Sequence, residues 1–167
     1  MTDNFIQLKK DNILRLGIRT ADGKETGECL EFDLEDIELP LKYQDLLEQE
    51  KKNRQNLKNN LLIIEKRQDV KGKKLMSKNE EDKIKAINEF YKKEAELLDV
   101  FLGEGGVNKL LNGRKLGWTS LEEINEIIST QIAPHLKTNM ESISEKIKKK
   151  YSSKEETEVL KWNTQNM

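Results

Sequence analysis

Residues 101–113 read FLGEGGVNKLLNG, four glycines with Lys109 among them. Glycines beside a lysine are the ingredients of a phosphate-binding loop, so nucleotide chemistry is the first possibility to test. A Walker-type loop places a Lys-Ser or Lys-Thr pair directly after its last glycine, between a strand and a helix. Here Gly106 is followed by Val107. A dinucleotide loop follows a strand and needs a third glycine, but after Gly103 and Gly105 that position holds Asn108. The preceding segment also has helical rather than strand periodicity. The glycines are therefore expected to act mechanically. Gly103 ends a helix in a left-handed conformation, Gly105 and Gly106 turn the chain, and Val107, Leu110 and Leu111 start a short helix closed by Asn112-Gly113.

Other reactive side chains are sparse. The only histidine is His135 and the only cysteine Cys29. One of each, far apart in sequence, cannot make a usual zinc site, and no motif supports a Cys–His dyad. Glu122–Glu123 and Glu155–Glu156 fall in expected first helical turns, where the helix dipole accounts for them. Trp118 is expected to staple the start of the last long helix rather than to stack on a base. No catalytic, cofactor-binding or metal-binding residue is expected, and the chain is read as non-enzymatic.

Composition points the same way. Charged residues are 37% of the 167 and the apolar set 35%, so the core is modest and some surfaces await a partner. Thirty basic residues nearly cancel 31 acidic ones, with signs mixed along most of the chain, which argues against nucleic-acid and membrane binding. A single cysteine fits a reducing compartment. The first twelve residues contain no apolar signal region, and no apolar run is long enough to span a bilayer. A cytoplasmic protein is expected.

The elements that must position these residues are legible from periodicity. The fold class expected is mostly α (α+β), an N-terminal β-hairpin followed by three to four amphipathic helices and a polar C-terminal tail. Residues 1–12 form a flexible N-terminus. Residues 13–150 form one helical domain that begins with a hairpin at 13–34, and 151–167 fray. In the hairpin Leu14, Leu16 and Ile18 alternate with Arg15, Gly17 and Arg19, and Leu30, Phe32 and Leu34 alternate with Glu31 and Asp33. Asp22-Gly23 marks the turn, and the opposed charges can pair on the outer face. A first helix enters at Pro40 with Tyr43, Leu46, Leu47, Leu57, Leu61 and Ile64 on one stripe. Its middle, 48–56, has no apolar residue and should face solvent or a partner.

Residues 69–79 read as a flexible basic connector. Ser77 and Glu80 have capping-box spacing, opening a helix at about 80–102 with a stripe from Ile84 through Ile87, Tyr91, Ala95 and Leu98 to Phe101. Ser120 and Glu123 repeat that spacing before a helix at 120–150. Its stripe runs Leu121, Ile124, Ile128, Ile132, Leu136, Met140, Ile143 and Ile147, and Pro134 should kink or split it.

The order of these parts, with ELPL at 38–41, LLDVFLGEGGVNKLL at 97–111 and IAPHL at 132–136, resembles the small tail assembly chaperones of long-tailed phages and prophages of Gram-positive bacteria. The likeness follows the order of elements over residues 13–150. It is specific at 97–111 and 132–136, and the connector and polar tail have no counterpart in it. The resemblance implies a protein that binds the tape measure protein and helps the tail-tube protein polymerise around it, and that is absent from the finished particle. It carries over no catalytic residue. Alternatives are another phage structural or scaffolding adaptor, or a small DNA-binding regulator.

A partner surface needs exposed apolar residues on a formed scaffold. The candidates cluster at the glycine turn: Leu98, Phe101, Leu102, Val107, Leu110, Leu111 and Trp118. The same residues could equally be the chain's own core. Self-association through the hairpin edge is a further expectation.

Overall fold

The computed structural model describes residues 4–9 and 12–165, by backbone alone at 153–161 and 163–165. Strands β1 (Ile13–Arg19) and β2 (Glu25–Asp33) pair antiparallel. Helices follow: α1 (Leu39–Glu65), α2 (Lys78–Leu102), the short α3 (Gly106–Leu111), α4 (Trp118–Ile127), a π-helical turn (Ile128–Ile132) and α5 (Ala133–Gln165). The fold is mostly α with an N-terminal β-hairpin, as periodicity predicts.

Alternation decides which face of the hairpin is covered. Leu14 pairs with Phe32 and Leu16 with Leu30, and these inward residues join the core. On the outer face Arg15 meets Glu31 at 2.9 Å. The turn is tighter than the ADGKETG segment suggests, closing from Thr20 to Lys24, with Gly23 at φ 83°. The extra length lies in β2, where the register slips opposite Gly17–Arg19 and Gly27 adopts φ 80°. Two strands alone are marginal. Phe32 stacks against Phe101 of α2 at 5.7 Å, and Asn139 of α5 donates to the Leu34 carbonyl and accepts from Asn12 at 2.8 Å.

Helices α1 and α2 form an antiparallel pair. The capping box is present: Ser77 Oγ accepts from Glu80 N–H, and Glu80 accepts from Ser77 N–H. The 69–79 connector is tied at its ends by Lys78 N–H to the Val70 carbonyl and Asn79 N–H to Asp69. The Asn79 side chain, itself buried, donates to the carbonyls of Ile64 and Arg67, satisfying groups that the end of α1 leaves open.

Several sequence expectations need correction. Leu47 and Ile84 are exposed. Leu47 lies about 100° around the helix from buried Leu46, and the buried face of α2 keeps Leu98 and Phe101 of the expected stripe, with Tyr91 and Ala95 beside it, and adds Phe90 and Glu94. Helix α4 starts at Trp118 rather than Ser120. Ser120 is its third residue, accepting from Gly117 N–H at 2.9 Å, so the Ser120–Glu123 box does not form. Pro134 does interrupt the helix. Just before it the backbone widens to a π turn, with Ala133 N–H bonded to the Ile128 carbonyl. The stripe is core only as far as Leu136: Met140, at the edge of the body beside Leu34 and Pro40, and Ile147 are exposed. Residues 151–165, expected to fray, continue α5; no glycine or proline follows Pro134 to stop it. The rest of that tail, like residues 1–3, 10 and 11 of the expected flexible N-terminus, lies outside the described residues. No described helix is long and apolar enough to cross a membrane.

Candidate partner-binding site

The glycine turn is built as the residues require. Gly103 ends α2 at φ 98°, Gly105 is left-handed at φ 72°, and Asn112 and Gly113 close α3 with positive φ. Gly106 is needed for close approach: a Cβ there would come 2.7 Å from that of Leu102. The Val107 amide at the start of α3, which a phosphate loop would turn toward its ligand, is taken by Asp99 Oδ1 at 2.9 Å. Lys109 points to Glu28 at 3.9 Å.

The structure divides the seven candidate residues. Leu98, Phe101, Leu102, Val107 and Leu111 are buried in the chain's own core with Leu30, Phe32 and Leu121. They are corrected from partner surface to packing, because the hairpin closes over the turn and leaves them no access. Leu110 is half-buried on a cleft of about 490 Å³ beside β1. Trp118 alone is exposed, at 53%.

Sequence reasoning missed a buried polar cluster. The apolar-free middle of α1 is largely exposed, as expected, but one face of it, carrying Glu50 and Asn53, packs on α2 and α4. Glu50 is buried and Glu94 is fully buried, 0% exposed. Asn53 donates to Glu94 Oε1 at 3.0 Å and also to the Phe90 carbonyl at 3.2 Å. Arg54 lies 3.8 Å from Glu50, and Asn125 of α4, its amide turned to suit both neighbours, donates to Glu50 at 3.0 Å and accepts from Arg54 at 3.1 Å. Burial first, and the facing Glu94 second, push the Glu50 carboxyl up to about 7; burial raises Glu94 too. Glu94 Oε2 has no donor around it. A proton shared with Glu50 supplies one, leaving a single negative charge opposite Arg54. Nothing in the sequence separates these glutamates from the many on the surface. No group of three residues able to hold a metal occurs among the described residues.

The exposed feature with the shape of a binding site is a groove of about 360 Å³ along α1, with Phe90 and Trp118 as its other wall. Arg54, Leu57, Lys58, Leu61, Leu62 and Glu65 repeat at three- and four-residue steps, so they form one stripe about three turns long. The signal in the sequence was a surplus: Leu57, Leu61, Leu62, Ile63 and Ile64 are too many for one buried face. Ile64 goes to the core, while Leu62 and Ile63 stay exposed. Trp118, expected to staple its own helix, instead lines this groove as the first residue of α4.

No protein-family model matches the chain, and no curated protein or solved structure matches it.

Proposed function

We propose that this chain is a non-enzymatic tail assembly chaperone that binds the tape measure protein in the host cytoplasm and releases it as tail-tube subunits arrive. The observation that carries the proposal is the three-turn apolar groove walled by Trp118. A groove of that length accepts an amphipathic helix through anchors at i, i+3/i+4 and i+7, and a tape measure protein is long and helical. An exposed tryptophan in the groove's wall is the residue type that most often dominates such contacts. The open groove suits a reversible grip. The order of elements that resembles the chaperone family supports the same assignment.

Co-expression with the tape measure protein of the same phage or prophage tests the proposal. Leu62→Asp and Trp118→Asp should each abolish co-purification while shifting the melting temperature by no more than about 2 °C, because both line the groove from exposed positions and surface substitutions cost within about 0.5 kcal/mol. Retention of the tape measure protein by the double variant would sink it. Capture of a different structural protein through the same two residues would point to a scaffolding adaptor.

A further inference from the structure

The groove lies in a basic field. Over residues 51–67, α1 and its end carry Lys51, Lys52, Arg54, Lys58, Lys66 and Arg67 against a single acid, Glu65. That acid is already taken by Lys83 of α2 at 3.4 Å. Arg54 is balanced by the buried carboxyl pair and Arg67 by Asp82 at 3.4 Å. The four lysines are exposed and make no ion pair among the described residues. Of these, Lys58 lines the groove and Lys51 falls on the same face of α1, so the apolar floor is bordered by cations that no described residue pairs.

The same charge excludes an obvious internal occupant. The exposed Ile147 of α5 offers an apolar residue of its own, but Lys146, Lys148, Lys149 and Lys150 surround it in the sequence. A second copy's α5 would bring like charge to like charge. A nucleic acid would suit the lysines but has no use for a leucine-lined floor.

Taking the groove as the helix-docking site proposed above, we infer that it selects an acidic amphipathic helix of another protein. The helix places its apolar stripe on Leu57, Leu61 and Trp118. Carboxylates that flank that stripe face Lys58 and, two turns away on the same helix face, Lys51, both without an ion pair among the described residues. The apolar contacts hold the helix, and the lysines set which helix is held and how fast it arrives.

Calorimetry on the whole protein with two synthetic helices of about 20 residues, long enough to be helical when bound, separates these contributions. Both carry one leucine stripe; one is flanked by glutamates and the other by lysines. The acidic helix should bind about tenfold or more tighter at low salt, and the gap should close as salt screens the rim. Lys58→Glu should narrow the gap several-fold without changing thermal unfolding, and Leu61→Asp should remove binding of both helices. Equal affinity for the two helices overturns the selection by charge while leaving the docking site. Failure of both to bind removes the docking site as well. Preferential binding of a DNA duplex at the same salt overturns the inference in favour of a nucleic-acid surface.

Discussion

Glu94 is completely enclosed, its Oε2 has no donor among the described residues, and the carboxyl of Glu50 faces it within hydrogen-bonding reach. The pH dependence follows from the proton they share. Glu50 titrates at about 7 in the fold, against 4.5 as its ordinary value. The folded chain therefore keeps a proton that the unfolded chain has lost. The stabilisation is complete below the ordinary value and disappears as pH rises through about 7. The melting temperature should accordingly fall between about pH 5 and about pH 8, against the usual acid sensitivity of paired carboxylates. Glu94→Gln places an amide donor where the shared proton sits. It should flatten that profile and stabilise the fold by about 1–3 kcal/mol at about pH 8, read by thermal unfolding across the range. The glycine turn gives a second test at this scale. Gly106→Ala sets a Cβ against that of Leu102 and should cost about 1–3 kcal/mol. Lys109→Ala touches only a long surface ion pair and should change stability by less than about 0.5 kcal/mol.

Among the elements, the α1–α2 pair depends on its loop end. Asn79→Ala strips the Arg67 carbonyl of its donor and leaves that of Ile64 with the Arg67 N–H alone, and should cost about 1–3 kcal/mol, more than the roughly 1 kcal/mol expected for Ser77→Ala in the capping box. Chemical denaturation of the two variants ranks them. Helix α5 makes the opposite case. Its stripe leaves the core after Leu136, so Ile147→Asp, at an exposed position, should melt within about 2 °C of the parent. Most of this architecture was legible in the sequence, because alternation at 13–34 and three–four spacing in α2 and α4 are strong, redundant signals. The exceptions have common physical causes. Ser120 looked like a cap because its spacing to Glu123 is right, but a hydroxyl at the third helical position can satisfy the first amide equally well. The middle of α1 looked solvated because a buried glutamate and an exposed one are the same letter; only the helix facing Glu50 reveals that it is shielded.

At the scale of the molecule, the division between packing and binding was what sequence could not resolve. Leu98 and Trp118 are both large apolar residues near a glycine turn, and whether the hairpin covers them depends on contacts far apart in sequence. The structure covers the first and leaves the second on the rim of the α1 groove. Those distant contacts also hold the molecule closed. Asn139→Ala should raise amide hydrogen exchange in β1 and β2 while sparing the centres of α1 and α2, because it releases the hairpin from α5 without touching the helix pair. Asn139 follows Leu34 by 105 residues. On a ribosome adding roughly 5–20 residues each second, about 5–20 s separate the emergence of the two. Throughout that interval the first-made strands wait without their clasp, and their free edges can pair with those of neighbouring nascent chains. A stalled or truncated message that ends before Asn139 would release chains whose helix pair is formed and whose strands are open, so the last-made helix decides whether the first-made hairpin is safe.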